Sequence, residues 1–139
     1  MDVIIEKIKT VETHDNGSLS FFESVKDIPF EIKRFYYIWG VPSCAIRGGH
    51  AHKTLHQFIF CPYGKILISL FDGSTWSDIV LDTPNKGILI TSPLWRNMVW
   101  QQDNSVLCIA ASDYFTESDY IRNMGEFLEY ISNNPMRDL

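Results

Sequence analysis

The sequence lacks the features of several common functional classes. Its 139 residues include 12 lysines and arginines against 17 aspartates and glutamates, a net charge of -5, and no basic run. Because binding to a phosphate backbone depends on clustered basic side chains, we expect no nucleic-acid partner. An anionic small molecule is still compatible with this composition, since a few local arginines are enough to bind one.

Long apolar runs are also missing. The longest covers residues 106–111, whereas a helix needs about 20 apolar residues to cross a bilayer. Residues 1–10 alternate charged residues with short apolar stretches and do not form the apolar core of a signal peptide. We therefore expect a soluble cytoplasmic protein with no membrane partner.

Cysteine is sparse, and its spacing matches no metal or redox motif. Cys44, Cys61 and Cys108 are odd in number and form no Cys-x-x-Cys pair. Each has apolar neighbours, so we interpret all three as small buried hydrophobic side chains. An odd set of widely spaced thiols is typical of a reducing compartment.

The chain is rich in short strands separated by turns. With 45% apolar and 21% charged residues, it has the composition of one globular domain covering residues 1–139. Pro62, Tyr63 and Gly64 predict a tight hairpin, and Asp72 with Gly73 predicts the next turn. Many short strands at regular spacing indicate an all-β barrel or sandwich. The predicted strands cover residues 3–11, 19–25, 32–39, 55–61, 65–71, 75–81, 87–91, 94–100 and 106–111.

Only the end of the chain has a helical pattern. Apolar residues recur at three-to-four spacing over residues 119–131, which predicts a short C-terminal helix. Thr116 and Ser118 are the expected N-caps. We expect the helix to lie against the barrel or against a partner subunit.

Two histidines stand out in the segment Arg47-Gly48-Gly49-His50-Ala51-His52-Lys53. On a strand, side chains at positions i and i+2 point to the same face, so His50 and His52 would project together. Paired imidazoles suit either metal ligation or proton transfer. A histidine pair beside a turn is about as often exposed on the surface without a function as it is part of a site. The pair alone therefore does not decide the function.

The surrounding spacing matches the first cupin motif, with His50, His52, Gln57 and Gly64 at its positions. This register turns Gln57 inward and the neighbouring His56 away, whereas an unbroken strand would bring His56 beside the pair. We favour the cupin register.

In the second cupin motif Gly87 and Pro93 fit, but Trp95 replaces a glycine and Met98 replaces the metal-binding histidine. An amide at Gln57 and a thioether are poor substitutes for a carboxylate and an imidazole as metal ligands. The sequence therefore favours acid–base catalysis by the histidines, and we expect no metal and no other cofactor.

Several polar side chains near these motifs are candidates for holding an anionic substrate. Arg34 and Tyr36 share one face of a predicted strand, and Tyr37 lies on the other face. Arginine suits phosphate because its guanidinium makes paired hydrogen bonds. The further candidates are Arg47, Lys53, Gln57, Arg96 and Asn97.

Nearly the whole chain resembles the sugar 3,4-ketoisomerases of the cupin superfamily, which act on dTDP-4-keto-6-deoxyglucose. The resemblance runs through Ile32-Lys33-Arg34-Phe35-Tyr36-Tyr37-Ile38, the histidine segment, Ser92-Pro93-Leu94-Trp95-Arg96, Ala111-Ser112-Asp113-Tyr114-Phe115 and Glu117-Ser118-Asp119-Tyr120-Ile121-Arg122. This combination is far more specific than a His-x-His pair, which marks only the superfamily.

The resemblance implies a jelly-roll barrel (a double-stranded β-helix) and a homodimer that exchanges N-terminal strands. It also implies metal-independent isomerisation of a dTDP-linked keto-deoxysugar on the way to 3-amino-3,6-dideoxyhexoses. The catalytic histidines fall on His50 and His52, the tyrosine near the sugar on Tyr36 with Tyr37 as the alternative, and the diphosphate contacts on Arg34 and Arg47.

Two departures from the family pattern leave the C4 configuration of the product open between gluco and galacto. Arg96 stands where some members have histidine, and Asn16 stands where a larger residue is expected. The competing functions are a non-catalytic nucleotide-sugar-binding cupin, a metal-dependent cupin enzyme and a keto-sugar epimerase.

Overall fold

The computed structural model describes residues 3–135. Within that range the chain forms twelve β-strands and one α-helix, with two short 3-10 turns at residues 14–16 and 117–119. The strands are β1 (Ile4–Lys7), β2 (Lys9–Glu12), β3 (Ser18–Phe21), β4 (Arg34–Ile38), β5 (Ile46–His52), β6 (Gln57–Tyr63), β7 (Ile66–Phe71), β8 (Trp76–Leu81), β9 (Lys86–Ile90), β10 (Trp95–Trp100), β11 (Val106–Ala111) and β12 (Tyr120–Ile121), and the helix is α1 (Met124–Asn133).

Two five-stranded antiparallel sheets build the barrel. The first has the order β1-β9-β6-β11-β4 and the second the order β12-β5-β10-β7-β8. The strands β2 and β3 form a separate two-stranded sheet. The prediction of an all-β fold with a short C-terminal helix is confirmed. Among the described residues, no helix is long and apolar enough to cross a membrane.

The main core lies between the two five-stranded sheets. In β7 the side chains of Ile66, Ile68 and Leu70 are fully buried, and the residues between them face outward. This period-two pattern is the one expected of a strand with one face on the core. Burial of each such side chain contributes about 1.5–3 kcal/mol, so these strands fix the frame that holds the site.

The predicted hairpin at Pro62, Tyr63 and Gly64 is wrong. Strand β6 pairs with β9 and β11, whereas β7 pairs with β10 and β8, so this turn carries the chain from one sheet to the other. The hydroxyl of Ser105 fixes the turn by accepting a hydrogen bond from the Lys65 amide at 2.9 Å. The turn predicted at Asp72 does close a hairpin, between β7 and β8.

The helix begins five residues later than predicted. Its N-cap is Asn123, whose side chain accepts a hydrogen bond from the Glu126 amide at 3.0 Å, and not Thr116 or Ser118. Tyr120 and Ile121 instead form β12, which pairs with the end of β5. Backbone pairing with a buried strand therefore outweighs helical periodicity here. The helix packs against this chain's second sheet through Phe127, which belongs to a buried cluster with Trp95.

Two other expectations need correction. The predicted strand over residues 3–11 is divided into β1 and β2 at the buried Ile8, and the one over residues 19–25 ends at Phe21. Cys61 and Cys108 are buried as expected, but Cys44 is exposed. It lies in the loop before β5 with φ 70, a left-handed conformation that is typical of turns.

Replacing Gly64 with alanine should destabilise the fold strongly. Gly64 has φ 102, and an added Cβ would overlap Ser105, lying 2.6 Å from its Cα. Gly40→Ala is the matched control, because Gly40 also has positive φ (72) but no atom within 4 Å of the added Cβ. We expect the control to lose about 1 kcal/mol through backbone strain, and Gly64→Ala about 1–3 kcal/mol more through the overlap. Urea unfolding measures both, and equal losses would contradict this account of the turn.

Candidate active site

The two histidines lie together, as their spacing predicts. Their ring centroids are 5.0 Å apart, and the ring of Tyr120 lies 5.2 Å from that of His50 and 4.3 Å from that of His52. Both histidines are on β5, and Tyr120 reaches them from the adjoining β12. The three rings form one cluster at the end of the second sheet.

Gly48 makes the approach of β5 to β10 possible. It has φ 93, and a Cβ added there would lie 2.7 Å from the Arg96 carbonyl oxygen. The register between the two strands shifts next to it, between Arg96 and Asn97. A glycine at this position therefore lets the strand carrying the histidines pack closely on the strand carrying Arg96.

Asp119 holds His52 from the side of the loop. Its Oδ2 lies 3.1 Å from Nδ1 of His52, and its Oδ1 accepts hydrogen bonds from the amide and the hydroxyl of Thr54, at 2.8 and 3.0 Å. Burial opposes ionisation of Asp119, but the bonds from Thr54 and His52 outweigh it and lower the pKa of the carboxyl. The other ring nitrogen of His52, Nε2, is buried with no hydrogen-bond partner in the structure.

A buried arginine lies on the other side of the pair. Arg96 is only 2% exposed, and it donates to Oε1 of Gln57 and to the carbonyl oxygen of Leu94. Gln57 in turn donates from Nε2 to the Tyr36 hydroxyl at 3.0 Å. Among residues 3–135 no carboxylate forms an ion pair with Arg96. Burial lowers its pKa to about 10, so the side chain is still a cation at neutral pH.

This environment keeps both histidines neutral. Burial, followed by repulsion from the Arg96 cation, lowers the pKa of His50 to about 4 and that of His52 to about 3. An imidazole with such a pKa is neutral near pH 7, with a hydrogen on one ring nitrogen and a lone pair on the other. Both side chains are therefore available to accept a proton.

Two cavities meet at the histidine cluster. The inner cavity, of about 240 Å³, lies between the two sheets and is lined by Tyr36, His50, Gln57 and Arg96 among others. The outer cavity, of about 310 Å³, is bounded by the segment 112–120 and includes His52. Tyr120 lines both.

Most of the predicted site residues line these two cavities. Arg47 lines the inner cavity, and Arg34 and Lys53 line the outer one. Arg34 also lies over the ring of Tyr36, with its guanidinium carbon 5.1 Å from the ring centroid. The cupin register is confirmed at Gln57, which is buried and points inward.

Three residues lie away from the cluster. Tyr37 is 58% exposed on the opposite face of β4 from Tyr36. Asn97 lies on the opposite face of β10 from Arg96 and lines neither cavity. His56 is turned away from the histidine pair, as expected, and its ring faces Phe30 at 6.2 Å.

The contribution of the loop before the helix to the site was not predicted from the sequence. Asp119 and Tyr120 contact the histidines, and Arg122 pairs with Glu117 at 2.8 Å while lying over the Tyr120 ring. Asp119, Tyr120 and Arg122 were included in the predicted helix, and Glu117 lies just before it. The available signal was the lack of apolar periodicity over residues 115–120, which argued for an irregular segment before the helix.

Two metal-ligand positions of the cupin pattern hold residues that are poor metal ligands, Gln57 and Met98. Gln57 is bound to Arg96, and the thioether of Met98 lines the same inner cavity. In the described part of the chain, no three His, Cys, Asp or Glu side chains are grouped so that they could hold a metal ion.

Comparison with known proteins gives consistent matches over nearly the whole chain. The family model described as "FdtA: WxcM-like, C-terminal" matches residues 1–132. The TDP-4-oxo-6-deoxy-alpha-D-glucose-3,4-oxoisomerase of Aneurinibacillus thermoaerophilus is 40% identical over 116 residues, which is 84% of each chain.

Solved structures of similar proteins match the chain over nearly its whole length. A 3,4-ketoisomerase from Helicobacter canadensis has a TM-score of 0.90 and 39% identity, covering 95% of this chain and 98% of that one. The sugar 3,4-ketoisomerase QdtA from Thermoanaerobacterium thermosaccharolyticum, solved in complex with TDP, has a TM-score of 0.91 and 36% identity, covering 96% and 97%. These matches confirm the cupin-like barrel expected from the sequence.

We predict that His50 and His52 do not titrate between pH 8 and pH 5. Their pKa values of about 4 and about 3 lie below the value of 6.5 that applies in the unfolded chain. The unfolded chain therefore binds more protons below pH 6.5, and the free energy of unfolding should fall as the pH drops from there towards 4. Imidazole proton resonances followed by NMR measure the titration directly. A midpoint near 6.5 for either histidine would contradict the neutral pair.

Proposed function

The chain belongs to the FdtA family (WxcM-like, C-terminal), and we propose that it is a sugar 3,4-ketoisomerase that converts TDP-4-keto-6-deoxyglucose into a TDP-3-keto-6-deoxyhexose. The relatives named above carry this activity in their descriptions. The observation in this chain that carries the proposal is the neutral pair His50 and His52 beside the buried cation Arg96.

The reaction moves a ketone from C4 to C3, and it requires several proton transfers. The hydrogen on C3 leaves as a proton, an enediol forms, and C4 receives a proton. The hydroxyl proton on O3 must also reach O4. Two neighbouring neutral imidazoles can divide this work between carbon and oxygen. General acid–base catalysis of this kind contributes about 10² to 10⁴ in rate.

Arg96 supplies the electrostatic part of the mechanism. As the C3 hydrogen leaves, negative charge develops on the sugar oxygens. A buried cation that forms no ion pair with a carboxylate in the described part of the chain is already oriented to stabilise that charge, and burial strengthens its interaction with an anion. Gln57 and the hydroxyl of Tyr36 continue the chain of hydrogen bonds along the inner cavity, where Tyr36 would contact the sugar.

The diphosphate would bind to the basic side chains around the cavities. Arg47 is exposed at the inner cavity, and Arg34 and Lys53 line the outer one. Arg34 has its Nε buried with no hydrogen-bond partner in the structure, so it retains an unused donor. Holding the nucleotide there would place the sugar against the histidines, and such positioning supplies much of the catalytic advantage.

We propose that the reaction needs no metal. The buried guanidinium of Arg96 is bonded to Gln57 at the position where the cupin pattern has a carboxylate ligand. A second cation placed there would be repelled by Arg96 and would find a thioether in place of an imidazole. The three free thiols of this chain agree with a reducing cytoplasmic setting.

We also propose a homodimer in which the β2–β3 hairpin is exchanged. An isolated two-stranded hairpin is marginally stable in water, yet here it exposes Val11, Leu19 and Phe21. Between the hairpin and the first sheet lies an apolar groove of about 720 Å³. Strand β1 pairs with β9 of its own chain, so the hairpin is the N-terminal segment available for exchange. A second copy would cover both hairpins by one symmetric contact.

His50→Asn and His52→Asn should each abolish isomerisation while leaving nucleotide binding intact. Each removes the group that accepts a proton but keeps the diphosphate contacts. The measurement is a proton NMR time course with TDP-4-keto-6-deoxyglucose, run with and without EDTA, and the product couplings give the C4 configuration.

The matched control is His56→Asn, which changes a histidine outside the cluster and should retain activity. Wild-type protein that binds the sugar without changing it would indicate a binding module. A product altered at other carbons would indicate an epimerase, and loss of activity with EDTA would indicate a metal enzyme. Each of these results would overturn the proposal.

Leu19→Glu should convert the dimer to a monomer. Leu19 is 58% exposed on the hairpin, and a buried unpaired carboxylate would oppose its packing in an interface. Sedimentation velocity gives the mass. Leu128→Glu is the control, because Leu128 is a 43% exposed apolar residue on α1 and the change should leave the dimer intact. A monomeric wild type would contradict the dimer.

A further inference from the structure

We propose that Asp119 is a positioning residue that fixes the tautomer of His52, with the ring hydrogen on Nδ1 and the lone pair on Nε2. This inference rests on the proposed isomerase function, because it assigns the atom of His52 that would exchange protons with the sugar. Its first consequence, the tautomer itself, can be observed without any substrate.

The carboxylate of Asp119 is held at both oxygens. Oδ1 accepts from the backbone amide of Thr54 at 2.8 Å and from its hydroxyl at 3.0 Å. The Asp119 carbonyl oxygen accepts from the Lys53 amide at 2.9 Å, so the loop and the end of β5 are connected twice. The remaining oxygen, Oδ2, faces Nδ1 of His52 at 3.1 Å. A backbone amide can only donate, so the orientation of this carboxylate is determined.

The orientation decides which nitrogen of His52 carries the hydrogen. The lowered pKa of Asp119 means that it is ionised at neutral pH, and an ionised carboxylate only accepts hydrogen bonds. Nδ1 must then be the donor. The lone pair lies on Nε2, which is buried and has no hydrogen-bond partner in the structure. Nε2 is thus the only basic atom of His52, and it is the atom that we assign to proton exchange with the substrate.

Asp119 also stabilises the protonated form of His52, which would exist transiently during proton transfer. Burial, Arg96 and His50 all lower the pKa of His52, and Asp119 is the group that raises it. When Nε2 accepts a proton, the resulting imidazolium is stabilised by the carboxylate at Nδ1. The same carboxylate therefore orients the ring and supports its transient charge.

Asp119→Asn tests the assignment, because the Thr54 amide determines how an asparagine must sit. The Thr54 donors hold the amide oxygen of asparagine, so its NH₂ group faces Nδ1 and donates to it. The ring hydrogen then moves to Nε2, and the basic atom is lost. We expect ¹⁵N NMR of labelled protein to show a protonated Nδ1 in the wild type and a protonated Nε2 in the variant. We expect kcat to fall roughly 10²- to 10⁴-fold with KM changed only a few-fold.

The controls separate this inference from a structural role and from the proposed function. Asp78→Asn makes the same chemical change on the exposed face of β8 and should alter neither kcat nor the tautomer. Thr54→Val keeps the backbone amide that orients residue 119, so the wild-type tautomer should persist.

Several results would overturn the inference. One is a wild-type His52 with its hydrogen on Nε2, a measurement that stands even if Asp119→Asn fails to fold. Another is an Asp119→Asn enzyme that keeps its wild-type kcat. A wild-type protein with no turnover would refute the proposed function instead, and the tautomer measurement would still be decided on its own.

Discussion

The site depends on a buried positive charge that forms no ion pair with a carboxylate of residues 3–135. The guanidinium of Arg96 is held by the side-chain oxygen of Gln57 and the carbonyl oxygen of Leu94, both uncharged acceptors. A carboxylate paired with it would weaken its field and reduce its part in lowering the pKa of the histidines. Burial lowers the pKa of His50 and of His52, and the Arg96 cation lowers both further. We propose that this cation also stabilises a developing enediolate. The same residue thus helps to keep the histidines neutral and, in the proposed mechanism, would complement the anion that they produce.

The fold provides this environment through the pairing of three strands. Strand β10 carries Arg96 between β5 and β7, and Gly48 lets β5 approach closely enough for the histidines to lie beside it. Strand β12 then adds Tyr120 at the end of β5. These contacts explain why a small barrel can enclose two imidazoles, a guanidinium and a phenol in one cluster.

The elements with strong periodicity could be predicted from the sequence, and so could the residues placed by a fixed spacing. The strand around Ile66 to Leu70, the inward side of His50 and His52 and the inward Gln57 all follow from period-two alternation and the cupin spacing. Which strands pair could not be read in the same way. The turn at Gly64 looks like a hairpin locally, but its destination depends on contacts with Ser105, which is distant in sequence. The segment that holds Asp119 and Tyr120 was assigned to the helix because Ile121 has the correct spacing for the helix that follows.

We propose that the two histidines work as neutral bases over the physiological pH range. The most direct test is the dependence of kcat/KM on pH for TDP-4-keto-6-deoxyglucose. With the pKa of His50 at about 4 and that of His52 at about 3, the account predicts that kcat/KM stays level from pH 8 down to about pH 5 and falls only below that. A decline with an apparent pKa near 6.5 would show that a histidine in the free enzyme carries a proton at neutral pH, and it would contradict the account.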